Sequence, residues 1–328
     1  MDKLLIICGP TATGKTFLAL HLAKVFGGEL ISADSRQVYK HMDIGTGKEI
    51  PKGFGFRKSD LEFKGGEVGY FTDGDTRIWG YDLVEAGEEF SVAQYVKFAD
   101  EILKNVLQRG KLPILVGGTG LYIKGVVNGI DTAKVPKNKT LRNSLKNKGA
   151  SELFEILASL DPTKAASMNI SDRRNPRRLV RAIEIAEYGI GKRGEKKIKR
   201  VKLDALYIGL SAPKEYVFKL ISERIKARFK AGLEGEVKNL ILKRVSWDSQ
   251  AMSALGYSQW RKYFEEKASR SQVINQWNKD EKSYARRQLT WFKRDKRVFW
   301  FDISKNGWQK SVEKLVKKWY SSKHNGFA

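Results

Sequence analysis

The octapeptide Gly9-Pro10-Thr11-Ala12-Thr13-Gly14-Lys15-Thr16 constrains this chain more than any other feature of its sequence. Before it lies Leu4-Leu5-Ile6-Ile7-Cys8, a short apolar run of the kind buried in parallel sheets. After it Phe17, Leu18, Leu20, Leu22, Ala23 and Val25 recur at helical spacing up to the Gly27-Gly28 stop. Strand, G-x-x-x-x-G-K-T and helix in that order are a P-loop in the context it requires. Its glycines let backbone N–H groups close around phosphate oxygens, Lys15 adds a point charge, and the Thr16 hydroxyl can reach a magnesium ion. The pattern predicts an α/β fold: a P-loop NTPase-like parallel sheet flanked by helices.

Glu29–Ala33 reads as a second strand, with Asp34-Ser35 at its C-terminal end. Ligands of open α/β sheets bind at that edge. Asp34 is there either a general base toward a nucleophile approaching the bound phosphate or an N-cap or turn aspartate. Pro113–Val116 is a further strand, followed by Gly117-Gly118-Thr119-Gly120, and Asp204–Leu210 another. Val68–Phe71 and Arg77–Trp79 read as a small hairpin, Ser91 with Gln94 as a capping box opening a helix, and Trp291 and Phe292 as core. Between about Asn128 and Arg200 the chain turns helical and more basic, so the expected organisation is a catalytic core over 1–127 and 201–328 with a helical insertion over 128–200. Asn175-Pro176 starts a helix carrying Arg177, Arg178 and Arg181 within two turns, guanidiniums that repel unless an anion sits between them. Gly189–Arg200 reads as a mobile linker and Asn325-Gly326 as a frayed end.

The charge balance adds a partner. Lys and Arg number 62 against 37 Asp and Glu, a net +25 with a pI near 9.9, which suits a polyanion better than a small metabolite, although a lysine-rich solvated surface gives the same count. The single cysteine, Cys8, excludes an internal disulfide, and three histidines leave no Cys/His zinc cluster. No segment reaches the ~18 apolar residues of a membrane span or resembles a signal peptide, so a cytoplasmic protein, expected as a monomer, is the reading.

Several strings together resemble the tRNA dimethylallyltransferase family, bacterial type. They are the G-P-T-A-x-G-K-T form of the P-loop; Asp34-Ser35-Arg36-Gln37-Val38-Tyr39-Lys40 running on to Met42-Asp43-Ile44-Gly45-Thr46 and Lys48; Val116-Gly117-Gly118-Thr119 with Leu121-Tyr122; Arg224-Ile225 with Arg228; Ala254-Leu255-Gly256-Tyr257; and Tyr284-Ala285-Arg286-Arg287-Gln288-Leu289-Thr290-Trp291. The resemblance spans roughly residues 2–302. It departs at Ile78–Leu83, where the family's H-x-L-x-D segment carries histidines and this chain has none.

The resemblance implies that the P-loop holds the diphosphate of dimethylallyl diphosphate, helped by magnesium and by Arg228. It implies Asp34 as the base that takes a proton from an adenine amine, and Thr119 as a contact to the target nucleotide. Asp34, Ser35, Arg36, Gln37, Thr119, Arg142, Arg177, Arg178, Arg181, Gly256, Tyr257, Arg286 and Arg287 are implied as contacts to the anticodon stem-loop of tRNA, whose adenosine 3′ of the anticodon receives the group. An adenylate isopentenyltransferase and a small-molecule P-loop kinase share the P-loop and Asp34. Neither accounts for +25 or for the arginine-bearing insertion.

Overall fold

A computed structural model describes residues 1–63, 66–189 and 203–322. The linker expected beyond Gly189 and the frayed end at Asn325-Gly326 lie outside the described residues. Eight strands make one sheet: β1 (Lys3–Cys8), β2 (Gly28–Ser32), β3 (Gly55–Phe63), β4 (Gly66–Thr72), β5 (Arg77–Trp79), β6 (Leu112–Val116), β7 (Asp204–Ser211) and β8 (Val298–Asp302), in the order β3-β4-β5-β2-β6-β1-β7-β8. From β5 to β8 every pairing is parallel. The central strands β1, β2 and β6 are covered on both faces, which is why they read as near-continuous apolar runs.

Register decides what meets at the edge. Ile7 pairs with Val116, Ser32 with Val116, and Cys8 with Gly209. The chain therefore leaves β1, β2 and β6 side by side, setting the P-loop, Asp34 and Gly117-Gly118 next to one another at the carboxyl edge.

The hairpin expected from Val68–Phe71 and Arg77–Trp79 forms, but it is not a separate element: β5 pairs with β2, so its arms extend the main sheet. A third arm, β3, escaped the sequence reading because Gly55-Phe56-Arg57-Lys58-Ser59-Asp60 is almost wholly exposed and shows no apolar alternation.

The chain divides into two compact units, Met1–Asn128 with Lys202–Ala328, and Gly129–Val201. In the first, α1 (Lys15–Phe26), α2 (Val92–Gln108) and α3 (Gly120–Asn128) follow their strands, and α2 opens with the capping box of Ser91 and Gln94. The second unit holds α4 (Lys139–Ser144), α5 (Ala150–Leu160), α6 (Pro162–Ser167), α7 (Ile170–Arg173) and α8 (Pro176–Tyr188). The side chains of Asn138, Asp161, Asn169 and Asn175 each accept an N–H three residues on, which lets such short helices start cleanly. Returning to the first unit, α9 (Lys214–Lys230), α10 (Leu233–Leu242), α11 (Arg261–Phe264), α12 (Arg270–Lys293) and α13 (Trp308–Ser321) complete the chain. Phe292 is core as expected, but Trp291 is 40% exposed beside the start of α3.

The core of the second unit is Leu153, Leu157, Leu179 and Ile183, and at its margin sits one buried carboxylate, Glu184. Burial alone would raise the Glu184 pKa, but hydrogen bonds from Arg142, Arg181 and the Asn138 N–H override it and hold it at about 2. A folded pKa below the unfolded one contributes stability above the unfolded value and loses it as pH falls. This unit is therefore expected to lose stability between the unfolded glutamate pKa of about 4.3 and about 2. Far-ultraviolet dichroism over that range should show the loss in the wild type and not in Glu184→Gln. The same acid profile in both would remove Glu184 as its cause.

Candidate active site

The P-loop is built as its sequence requires. Gly9 has φ +133°, and a Cβ there would lie 2.4 Å from the Leu210 carbonyl of β7, so no side chain fits. The Thr13 hydroxyl and the Lys15 ammonium both donate to the Pro10 carbonyl, at 2.9 and 2.6 Å, closing the loop on itself. Thr11, Ala12, Gly14, Lys15 and Thr16 face one cleft. Burial, then the neighbouring Arg224 guanidinium, pushes the Lys15 pKa down to about 8. A cation held in that state is stabilised by any anion that enters.

Two helices distant in sequence grip the loop from above. Gln288 of α12 accepts the Thr11 N–H at 2.8 Å and donates to the Gly118 carbonyl at 2.9 Å, tying the P-loop to the loop after β6. Seven residues earlier, on the same face, buried Glu281 accepts from Arg224 of α9 at 2.8 Å, from the Thr11 hydroxyl at 3.2 Å and from the Trp277 indole at 3.1 Å. Arg224 also donates to the Thr11 hydroxyl. Neither Gln288 nor Glu281 was singled out from sequence, although Gln288 lies inside the Tyr284–Trp291 string and the seven-residue spacing to Glu281 was there to read.

Asp34 lines the same cleft, and one of its carboxylate oxygens accepts the Arg36 N–H at 2.8 Å. The Thr119 hydroxyl oxygen accepts the Ser35 N–H at 3.0 Å, and Tyr284 of α12 bonds the same side chain. Asp34, Ser35 and Thr119 thus form one cluster. Gln37 turns inward, accepting the Ser32 hydroxyl at 2.7 Å and donating to the Gly47 carbonyl at 2.9 Å, while Arg36 donates to the Gln250 carbonyl. Arg228 reaches the segment after Gln37 from α9, donating to the Gly45 carbonyl at 3.0 Å. A Cβ at Gly47 would sit 1.8 Å from its guanidinium, so glycine there makes room for the arginine. Burial, then Arg224, pushes the Arg228 pKa down to about 10.

Where the histidines of the resembling segment are missing, Asp82 takes up a structural post. It receives the ammonium of Lys48, which also donates to the Tyr39 carbonyl at 2.6 Å and to Asp43 at 2.7 Å. Burial raises the Asp82 pKa and Lys48 opposes the rise. This braces Asp43–Lys48 against the strand-end loop.

Several residues expected to contact RNA have partners within the protein. Tyr257 is fully buried, its hydroxyl donating to Glu236, and Gly256 is buried against Trp277. The anion expected between the arginines of α8 is the protein's own. Glu184 holds Arg181 and Arg142, and Asp172 holds Arg178. Arg181 further donates to the Thr132 and Val135 carbonyls, at 2.8 and 3.0 Å. Arg177 stays exposed, as do Arg286 and Arg287 on α12, whose guanidiniums lie 5.6 and 5.8 Å from the rings of Phe218 and Tyr284.

A parallel sheet with a P-loop at its carboxyl edge, roofed by helices that bring arginines to the loop and a carboxylate beside it, defines the P-loop NTPase-like class of phosphate-binding enzymes. Residues 76–295 match the IPP transferase family and residues 2–57 the isopentenyl transferase family. A tRNA dimethylallyltransferase of Carboxydothermus hydrogenoformans is 37% identical over 96% of both chains, and one of Halothermothrix orenii 34% over 96% of this chain and 92% of its own. The crystal structure of the full-length tRNA isopentenylpyrophosphate transferase from Bacillus halodurans superposes with a TM-score of 0.68 at 29% identity, covering 97% of each chain. The chain belongs to the tRNA dimethylallyltransferase family.

Proposed function

We propose that this enzyme transfers the dimethylallyl group of dimethylallyl diphosphate to the N6 amine of the adenosine 3′ of the anticodon in tRNA, releasing diphosphate. The observation that carries the reading is one cleft in which the P-loop, Lys15 and Arg224 face the Asp34 carboxylate, with Arg228 adjoining through the Gly45–Gly47 segment. The allylic C–O bond breaks and its electron pair leaves with the diphosphate. The P-loop N–H groups, Lys15 and Arg228 neutralise that charge. The exocyclic nitrogen forms the new N–C bond, and its proton passes to Asp34. That nitrogen is a weak nucleophile, its lone pair being delocalised into the ring, so placement by Thr119 and proton removal carry much of the acceleration. The adenine must leave the anticodon stack to reach the cleft.

Magnesium suits the P-loop. The Thr16 hydroxyl lines the cleft, and a hard ion takes such an oxygen together with those of a diphosphate. Thr16 would hold it, and when bound it supplies charge to the leaving group. Arg177, Arg178, Arg286 and Arg287 are exposed cations proposed for the stem-loop backbone. Among the described residues no helix is long and apolar enough to cross a membrane, and a cytoplasmic monomer is the state proposed.

Transfer of labelled dimethylallyl diphosphate to unmodified tRNA with magnesium tests the reading, with AMP as competing acceptor and ATP turnover as control. Label in the adenosine beside the anticodon is expected; label in AMP, or ATP turnover without transfer, sinks it. The depressed Lys15 pKa adds a pH signature. The free ammonium is lost above about pH 8 and an entering diphosphate restores it. Above that pH, binding of inorganic diphosphate should take up one proton and weaken by roughly tenfold per pH unit. Calorimetry in buffers of different ionisation enthalpy reads the proton directly, and binding without proton uptake at pH 9 would contradict it.

A further inference from the structure

Three consecutive backbone N–H groups, those of Asp43, Ile44 and Gly45, converge on the carboxylate of Glu236 in α10, at 2.9, 2.8 and 3.0 Å. The Tyr257 hydroxyl is a fourth donor to the same carboxylate. Nothing in the proposed reaction uses Glu236, and the segment it holds is short and otherwise irregular. What that segment presents on its other side is functional: the Gly45 carbonyl takes the Arg228 guanidinium at 3.0 Å, the Gly47 carbonyl takes Gln37 at 2.9 Å, and Thr46 and Gly47 line the cleft.

Arg228 needs such a brace. The largest charge effect on it comes from another arginine, Arg224, opposed by Glu281 and Glu49, and Lys15 feels the same arginine. Among the described residues, its one hydrogen bond is to Gly45. Left to repulsion, the guanidinium would swing away from the cleft before a diphosphate arrived. A carbonyl can restrain it only if the chain beside it is fixed, and Glu236 fixes the Gly45 N–H, on the peptide immediately before the one that carries that carbonyl. Without the carboxylate three inward N–H groups lose their acceptor, and the segment must turn to find others.

We propose that Glu236, backed by the Tyr257 hydroxyl, is a positioning residue that acts through Gly45 to set Arg228 for the diphosphate. The inference rests on the reading of the cleft as a diphosphate site. It also reassigns Tyr257 from the RNA surface to the donor side of the reaction.

The test is a double-mutant cycle on inorganic diphosphate binding with magnesium, read by calorimetry on the full chain. Glu236→Gln should weaken binding about 10- to 100-fold, because it removes one acceptor and the charge facing four donors. In an Arg228→Ala background the same substitution should change binding less than about twofold, since it acts through that side chain. Tyr257→Phe should follow the same pattern at about 3- to 10-fold, and it serves if Glu236→Gln does not fold. Affinity for an unmodified anticodon stem-loop should stay within about twofold throughout. Equal losses with and without Arg228 would reduce Glu236 to a general brace, and lost RNA affinity with intact diphosphate binding would return Tyr257 to the RNA side; either overturns the inference. Prenyl transfer by the wild type is scored separately. A wild type that binds diphosphate with this coupling yet modifies no tRNA fails the functional reading alone.

Discussion

Asp34→Ala is expected to lower single-turnover prenyl transfer by about 100- to 10,000-fold. Diphosphate and stem-loop binding should meanwhile stay within about threefold. The structure gives Asp34 two offices at once. One carboxylate oxygen accepts the Arg36 N–H at 2.8 Å and shapes the turn after β2, which is the bland role an aspartate at a strand end often has. The carboxylate nevertheless borders the cleft shared with Lys15 and Thr16, with Thr119 bonded to the next residue, Ser35. Asp34→Asn separates the offices. An asparagine keeps an acceptor for the Arg36 N–H and cannot take a proton, so it should fall as far as alanine in transfer while matching wild type in thermal stability. Asparagine activity within tenfold of wild type would leave Asp34 a turn residue and move the base elsewhere.

Glu281→Ala is expected to cost about 3–5 kcal/mol of folding stability, the usual penalty for removing one partner of a buried ion pair. Its two oxygens satisfy Arg224, Thr11 and Trp277, and Arg224 already presses on Lys15 and Arg228. Removing the carboxylate strips the only anion paired with that arginine among the described residues. Three cations then face one another around the P-loop. Urea unfolding should show the loss, and saturating inorganic diphosphate with magnesium should restore part of it by supplying the missing charge. Glu281→Gln, which keeps the shape, should cost less than alanine. A cost below about 1 kcal/mol for alanine would mean that Arg224 finds another acceptor or water, and that the carboxylate is not what holds the loop.

Local chemistry made much of this legible. Strand, loop and helix around Gly9–Thr16 announce themselves because a parallel core strand is uniformly apolar and a phosphate loop needs its glycines and lysine in fixed order. Asp34 and Thr119 could be placed at the sheet edge for the same reason, each following a short apolar strand. Edge strand β3 could not, since a strand exposed on both faces has no apolar period to detect. The burial of Tyr257 and the pairing of Arg142 and Arg181 with Glu184 were not legible, because a tyrosine or arginine in a string does not reveal what lies across from it.

The sequence alone determined the P-loop, the order of the core strands along the chain, the helix-rich insertion and the family strings, all of which depend on neighbours within a few residues. Tertiary structure decided which charges face each other: Glu281 with Arg224, Glu236 with the Asp43–Gly45 backbone, Glu184 with Arg142 and Arg181, Lys48 with Asp82. Those partners lie tens to hundreds of residues apart, except for Arg181, a turn away from Glu184. A carboxylate's worth depends on burial and on the donors folding brings to it, and neither is written in its own stretch of chain.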